Sequence, residues 1–106
     1  MGSLESELQQ IVDSIESNYH PEKIILFGSL AEGRATEGSD IDLFVIKNTD
    51  KDPWSRSEEV DRYIRHAVPV DVLVYTPREI EERLGINDFF VKEVLEKGKV
   101  LYERRV

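Results

Sequence analysis

Two carboxylates open the stretch Asp40-Ile41-Asp42-Leu43-Phe44-Val45-Ile46-Lys47, which is otherwise an apolar run of strand character. No other feature constrains the fold as tightly. Alternation along a strand puts Ile41, Leu43 and Val45 on one face and Asp40, Asp42, Phe44 and Ile46 on the other. The two aspartates then stand roughly 6.5 Å apart on a single side of the backbone. Asp40 alone, after Ser39, has an ordinary use as a turn residue. Asp42 has none, because it falls inside the apolar alternation, and a strand heading into a core gains nothing from a second charge there.

The flanks define the scaffold. Leu4, Leu8, Ile11, Val12, Ile15 and Tyr19 recur at helical spacing until His20-Pro21, which predicts an amphipathic helix. Lys23 to Gly28 is a short apolar run closed by glycine, suited to a buried strand. Ser29 to Ser39 is small, polar and glycine-bearing, with room for a brief helical turn. Asn48 to Pro53 reads as a loop, and a capping box of Ser55 with Glu58 predicts a helix to about His66 with Val60, Tyr63, Ile64 and Ala67 inward. Val68 to Thr76 is rich in β-branched residues and predicts a third strand. Thr76-Pro77-Arg78-Glu79 has a threonine cap, a first-turn proline and a glutamate returning the bond, so a helix starts there and runs to Gly85. Asn87 is placed to cap one more helix, carrying Phe89, Phe90, Val94 and Leu95 to Gly98, before a short closing strand at Lys99 to Glu103. The expectation is one α/β (α+β) domain over residues 1–106, a small mixed sheet with flanking helices.

Topology decides where the aspartates point. If the first two strands are antiparallel, the Gly28-Ser29 turn lies beside the start of the second. A helix of about twelve residues before the third strand is the usual length of a crossover to a parallel neighbour. Asp71, flanked by valines near the start of that strand, then reaches the same sheet edge as Asp40 and Asp42. Three carboxylates so placed raise one another's pKa unless cations neutralise them. Magnesium fits, since it prefers oxygen ligands, keeps waters and is completed by substrate phosphates. Two such ions clamp the attacking and leaving oxygens of a displacement at phosphorus. Gly28 lets backbone N–H groups approach a phosphate, and the Ser29 hydroxyl stands beside them.

Charge excludes several alternatives. A net charge of −8 disfavours duplex nucleic acid, whose phosphates require a basic surface. Without cysteine there is no disulfide or thiolate site, and His20 and His66 are the only imidazoles available to zinc. Neither a signal peptide nor an apolar run of membrane-spanning length is present, so the expected location is the cytoplasm, with no membrane partner.

Gly28-Ser29, ten residues, then Asp40-Ile41-Asp42 resembles the signature of the DNA polymerase beta-like nucleotidyltransferase superfamily. Within it, the chain looks most like the minimal nucleotidyltransferases, short members that often act as antitoxins beside an RNase toxin of the HEPN type. The likeness extends over the leading helix, "ILFGSLAEG", "SDIDLFV", "VDVLVYT" and "GKVLYE". It implies the polymerase beta-like nucleotidyltransferase fold, with Asp40 and Asp42 as metal ligands. It also implies that Asp71 shares a second Mg2+ and helps deprotonate the attacking hydroxyl, while Gly28 and Ser29 hold the triphosphate of ATP or another NTP. The implied acceptor is a tyrosine of a cognate HEPN-type toxin within a hetero-oligomer. Relatives often carry arginine where this chain has Leu30, or a basic residue where it has Glu32. Larger members add a second domain, so a partner is expected to complete the site. Two other functions remain open on sequence: a non-catalytic antitoxin acting by contact alone, and a transferase acting on an aminoglycoside-like small molecule.

Some residues carry a plainer use beside the functional one. Arg34 suits a phosphate contact or a solvated loop, and His66 suits the last carbonyls of a helix. Trp54 suits stacking on a base or, more commonly, anchoring the start of a helix. Phe89 and Phe90 read as core, with one of them available to a partner, and Arg78 to Arg83 as a solvated helix face.

Overall fold

A computed structural model describes residues 4–33, 40–65 and 68–105. The expectations for Arg34, Ser39, His66 and Ala67 lie outside the described residues. Chain order is α1 (Leu4–Tyr19), β1 (Lys23–Phe27), α2 (Gly28–Ala31), β2 (Ile41–Ile46), α3 (Pro53–Tyr63), β3 (Val70–Tyr75), α4 (Pro77–Gly85), α5 (Phe89–Lys97) and β4 (Lys99–Glu103). The four strands form one mixed sheet in the order β3-β2-β1-β4. β1 is antiparallel to β2 and β4, whereas β3 runs parallel to β2, as its helical crossover requires. Among the described residues no helix is long and apolar enough to cross a membrane.

The alternation in β2 separates two apolar layers. Ile41, Leu43 and Val45 join Ile24, Leu26 and Val74 against Ile11, Val12, Ile15 and Tyr19 of α1 and Val60 of α3. On the opposite face Phe44 packs with Ile25 and with Val94 of α5, bordered by Phe27, Ile46, Tyr75 and Ile80. Aromatic rings dominate this second layer: Phe44 stacks on Tyr75 at 4.7 Å between centroids, and Phe27 meets Phe90 edge-on at 5.5 Å. Asp42 lies on this side, where the helical cover ends and the strand starts become accessible.

Two helix starts differ from expectation. Asp52, not Ser55, caps α3, accepting from the Ser55 backbone N–H at 3.0 Å, with Pro53 in the first turn. An Asp-Pro pair is as good a start signal as Thr-Pro, and the longer helix it opens wins over the shorter capping box. Asp88, not Asn87, caps α5, and Asn87 takes the left-handed conformation at φ 57. The predicted capping box at Thr76 and Glu79 is present in full.

The exposed edge of β3 is covered by side chains of α3. Ser57 Oγ donates to the Val72 carbonyl at 3.0 Å. Buried Arg56 donates to the Lys51 carbonyl at 2.6 Å, the Val74 carbonyl at 3.2 Å and Glu79 Oε1 at 2.7 Å. These bonds occupy acceptors that would otherwise offer a strand edge for pairing.

Candidate active site

Strand register determines the arrangement of the site. Phe27 is the antiparallel partner of Asp42, so the Gly28-Ser29 turn leaves β1 beside that aspartate. Asp71 is the parallel partner of Asp42 on the other side, and partners in register share a face. The Ile41 N–H donates to the Pro69 carbonyl at 2.9 Å, which ties the starts of β2 and β3 together with Asp40 just before them. The structure therefore brings Gly28, Asp40, Asp42 and Asp71 to one edge of the sheet, and Ser29 lies in the one-turn helix α2 beside it.

Gly28 is fitted to its neighbour. At φ +78 it holds a conformation that L side chains rarely adopt, and a Cβ there would stand 2.5 Å from Asp42 Oδ2. Only glycine lets the turn pass so close to that oxygen. The helix that follows starts at Phe27 without a side-chain cap, and the first-turn N–H groups of any helix have no acceptor within it. Donors of this kind suit an anionic oxygen.

The electrostatics are those of a site that wants a cation. Asp42 is half-buried, and its pKa is raised above the ordinary 3.8, first by burial, then by the charge of Asp71 and then by that of Asp40. Among the described residues no cation acts on it. Among the described residues no three His, Asp or Glu side chains are gathered tightly enough to hold an ion as they stand. Asp40 and Asp71 are exposed, so their side chains have room to change rotamer. A donor set of carboxylate oxygens alone, without nitrogen or sulfur, fits magnesium.

Reasoning from sequence missed three contributors. Phe27 and Phe90 meet edge-on and line a cavity together with Gly28, and Phe90 is half-exposed while Phe89 is 76% exposed. Arg56 holds β3 to α3 and α4; its place four residues before Val60 on the inward stripe was the available signal. Trp54 does not anchor α3, since 74% of its surface faces solvent.

Residues 9–105 match the family described as Polymerase beta, Nucleotidyltransferase. A protein of Methanocaldococcus jannaschii that carries the provisional name protein adenylyltransferase is 35% identical over 102 residues, covering 92% of this chain and 97% of its own. The crystal structure of a protein from Sulfolobus solfataricus, titled provisionally as a nucleotidyltransferase, superposes with a TM-score of 0.65. It is 23% identical, covers 98% of this chain and 91% of its own, and shows a shared fold.

Proposed function

The chain belongs to the Polymerase beta nucleotidyltransferase family and is a nucleotidyltransferase; from that premise we propose that it moves AMP from ATP to a tyrosine hydroxyl of a partner protein. The acceptor oxygen attacks the α-phosphorus, a new O–P bond forms, the bond to the bridging oxygen breaks, and pyrophosphate leaves. Asp71 takes the proton from the acceptor hydroxyl. Gly28 and Ser29 hold the triphosphate through backbone N–H groups and the serine hydroxyl. Asp40 and Asp42 would hold one magnesium and share a second with Asp71; bound there, the ions neutralise the triphosphate and acidify the acceptor hydroxyl.

The observation that carries this reading is the register of Asp42 against Asp71 with Gly28 packed on Asp42. Donor and acceptor groups then meet across one strand spacing, and near-attack geometry is worth several kcal/mol of barrier, on the order of 7 or more. Support for a protein acceptor comes from the name of the Methanocaldococcus relative. The partner we propose is a HEPN-type toxin, silenced by AMP on its tyrosine, with this chain as its cytoplasmic antitoxin. The test is mass spectrometry of the partner after co-expression with the wild type or with Asp42→Ala. AMP on a tyrosine with the wild type and none with the variant is expected; equal labelling would end the assignment.

A further inference from the structure

Resting on that proposed transfer, we propose that the acceptor is presented by a basic protein segment lying in a groove between α3 and the edge of β3, with Trp54 as its platform. Trp54, Ser57, Glu58 and Asp61 follow one another at the i, i+3, i+4, i+7 spacing of a single helical stripe, and this stripe runs beside β3. Together with Val70, Asp71 and Val72 they line a cleft of about 250 Å³. Asp71, the proposed base for the acceptor hydroxyl, is thus part of the cleft wall. A separate cavity of about 320 Å³ is lined by Gly28, Phe27 and Phe90, and the two share no residue. The sheet is therefore divided: donor phosphates at the end of β1, the acceptor at the edge of β3, the reacting atoms between them.

The lining specifies the occupant. It holds the carboxylates of Glu58 and Asp71, and among the described residues no lysine or arginine, on a chain of net charge −8. Cationic side chains flanking the acceptor hydroxyl are attracted, and acidic ones repelled. An exposed tryptophan at the mouth adds a face for a guanidinium or an aromatic ring.

Trp54 is the chain's single tryptophan, so its fluorescence reports occupancy directly and independently of transfer. Titration with a tyrosine peptide flanked by lysine and arginine should change the emission saturably, and the change should weaken with added salt. A glutamate-flanked peptide should leave it unchanged, Glu58→Lys should abolish it, and ATP should not displace the peptide. In calorimetry, Trp54→Ala should bind the basic peptide about fivefold more weakly, the size of an exposed cation–π contact. No response to the basic peptide, an equal response to the acidic one, displacement by ATP, or a response to an aminoglycoside alone overturns the inference. A normal fluorescence response without AMP transfer sinks the transferase reading of the partner and leaves the groove standing.

Discussion

Removing the charge of Asp42 should stabilise the metal-free protein and abolish its stabilisation by magnesium. Adjacent strands lie about 4.8 Å apart, so the carboxylates of the register partners Asp42 and Asp71 stand roughly 5–7 Å apart. Two unit charges at that separation repel by about 0.6 kcal/mol in water and about 3 kcal/mol at an effective dielectric of 20. Asp71 is exposed and Asp42 half-buried, which places the figure toward the lower end, about 1 kcal/mol. Asp42→Asn keeps the shape, removes this repulsion and removes the cost of burying a charge. In a domain of this size about 1 kcal/mol corresponds to a rise in Tm of about 4 °C.

The sign with pH follows from the raised pKa. The native protein holds the Asp42 proton more tightly than the unfolded chain does, so the penalty is absent below the ordinary 3.8 and grows as pH rises through the raised value. The advantage of the variant should therefore be full at neutral pH and vanish in acid. Magnesium at about ten times its Kd stabilises the wild type by about 1.4 kcal/mol, or about 5 °C, and should move Asp42→Asn by less than about 1 °C. Thermal melts with chelator and with magnesium, at neutral and acid pH, measure all four quantities. A variant less stable than the wild type in chelator, or one that gains as much from magnesium, would refute the electrostatic account of the site.

Two further predictions concern the scaffold. The Tyr19 hydroxyl is buried with no hydrogen-bond partner among the described residues, and its pKa is pushed from 10.0 up to about 12, chiefly by burial; Tyr19→Phe should therefore gain about 1 kcal/mol in denaturant titration and lose less stability than the wild type between those two pH values. Burial works against ionisation of Glu79, yet bonds from Arg56 and Thr76 outweigh it and hold the pKa below the ordinary 4.5. Its stabilising contribution is complete above 4.5 and lost as pH falls through the lowered value, so Glu79→Gln should cost roughly 1–2 kcal/mol at neutral pH and flatten the acid limb of the stability curve.

Most of the scaffold was legible because its signals are local. Strand runs, the Thr76 cap and the α1 stripe need only their own neighbours in sequence, and the parallel pairing of β2 with β3 follows from the length of the crossover between them. The position of Asp71 beside Asp42 followed from the same step. What remained hidden depends on surroundings. Nothing in KVLYE says that β4 adds to the outer side of β1, since any strand edge offers the same donors. Arg56 reads as a surface cation until the edge carbonyl of β3 and Glu79 meet it. Trp54 resembles a helix anchor in sequence, and only the fold shows that its neighbours at helical spacing are Ser57, Glu58 and Asp61, leaving no apolar stripe for it to join.

The cost of the acidic edge also explains why the sheet beneath it is so apolar on both faces. Leu43, Phe44 and Val45 are fully buried just after Asp42 in β2, so the core fixes the backbone of Asp42 and the ladder to β3 fixes that of Asp71. A loop carrying the same three carboxylates would relax them apart, because like charges gain by separating and a loop resists little. Strands deny that escape. The backbones of Asp42 and Asp71 stay one strand spacing apart whether or not their charges are neutralised, at a cost of about 1 kcal/mol. The same rigidity sets direction: Gly28 lies on one side of Asp42 and Asp71 on the other, so in the proposed transfer phosphate and acceptor would approach from opposite flanks of β2. In that proposal, specificity for the acceptor would lie with what borders β3, and that border is α3.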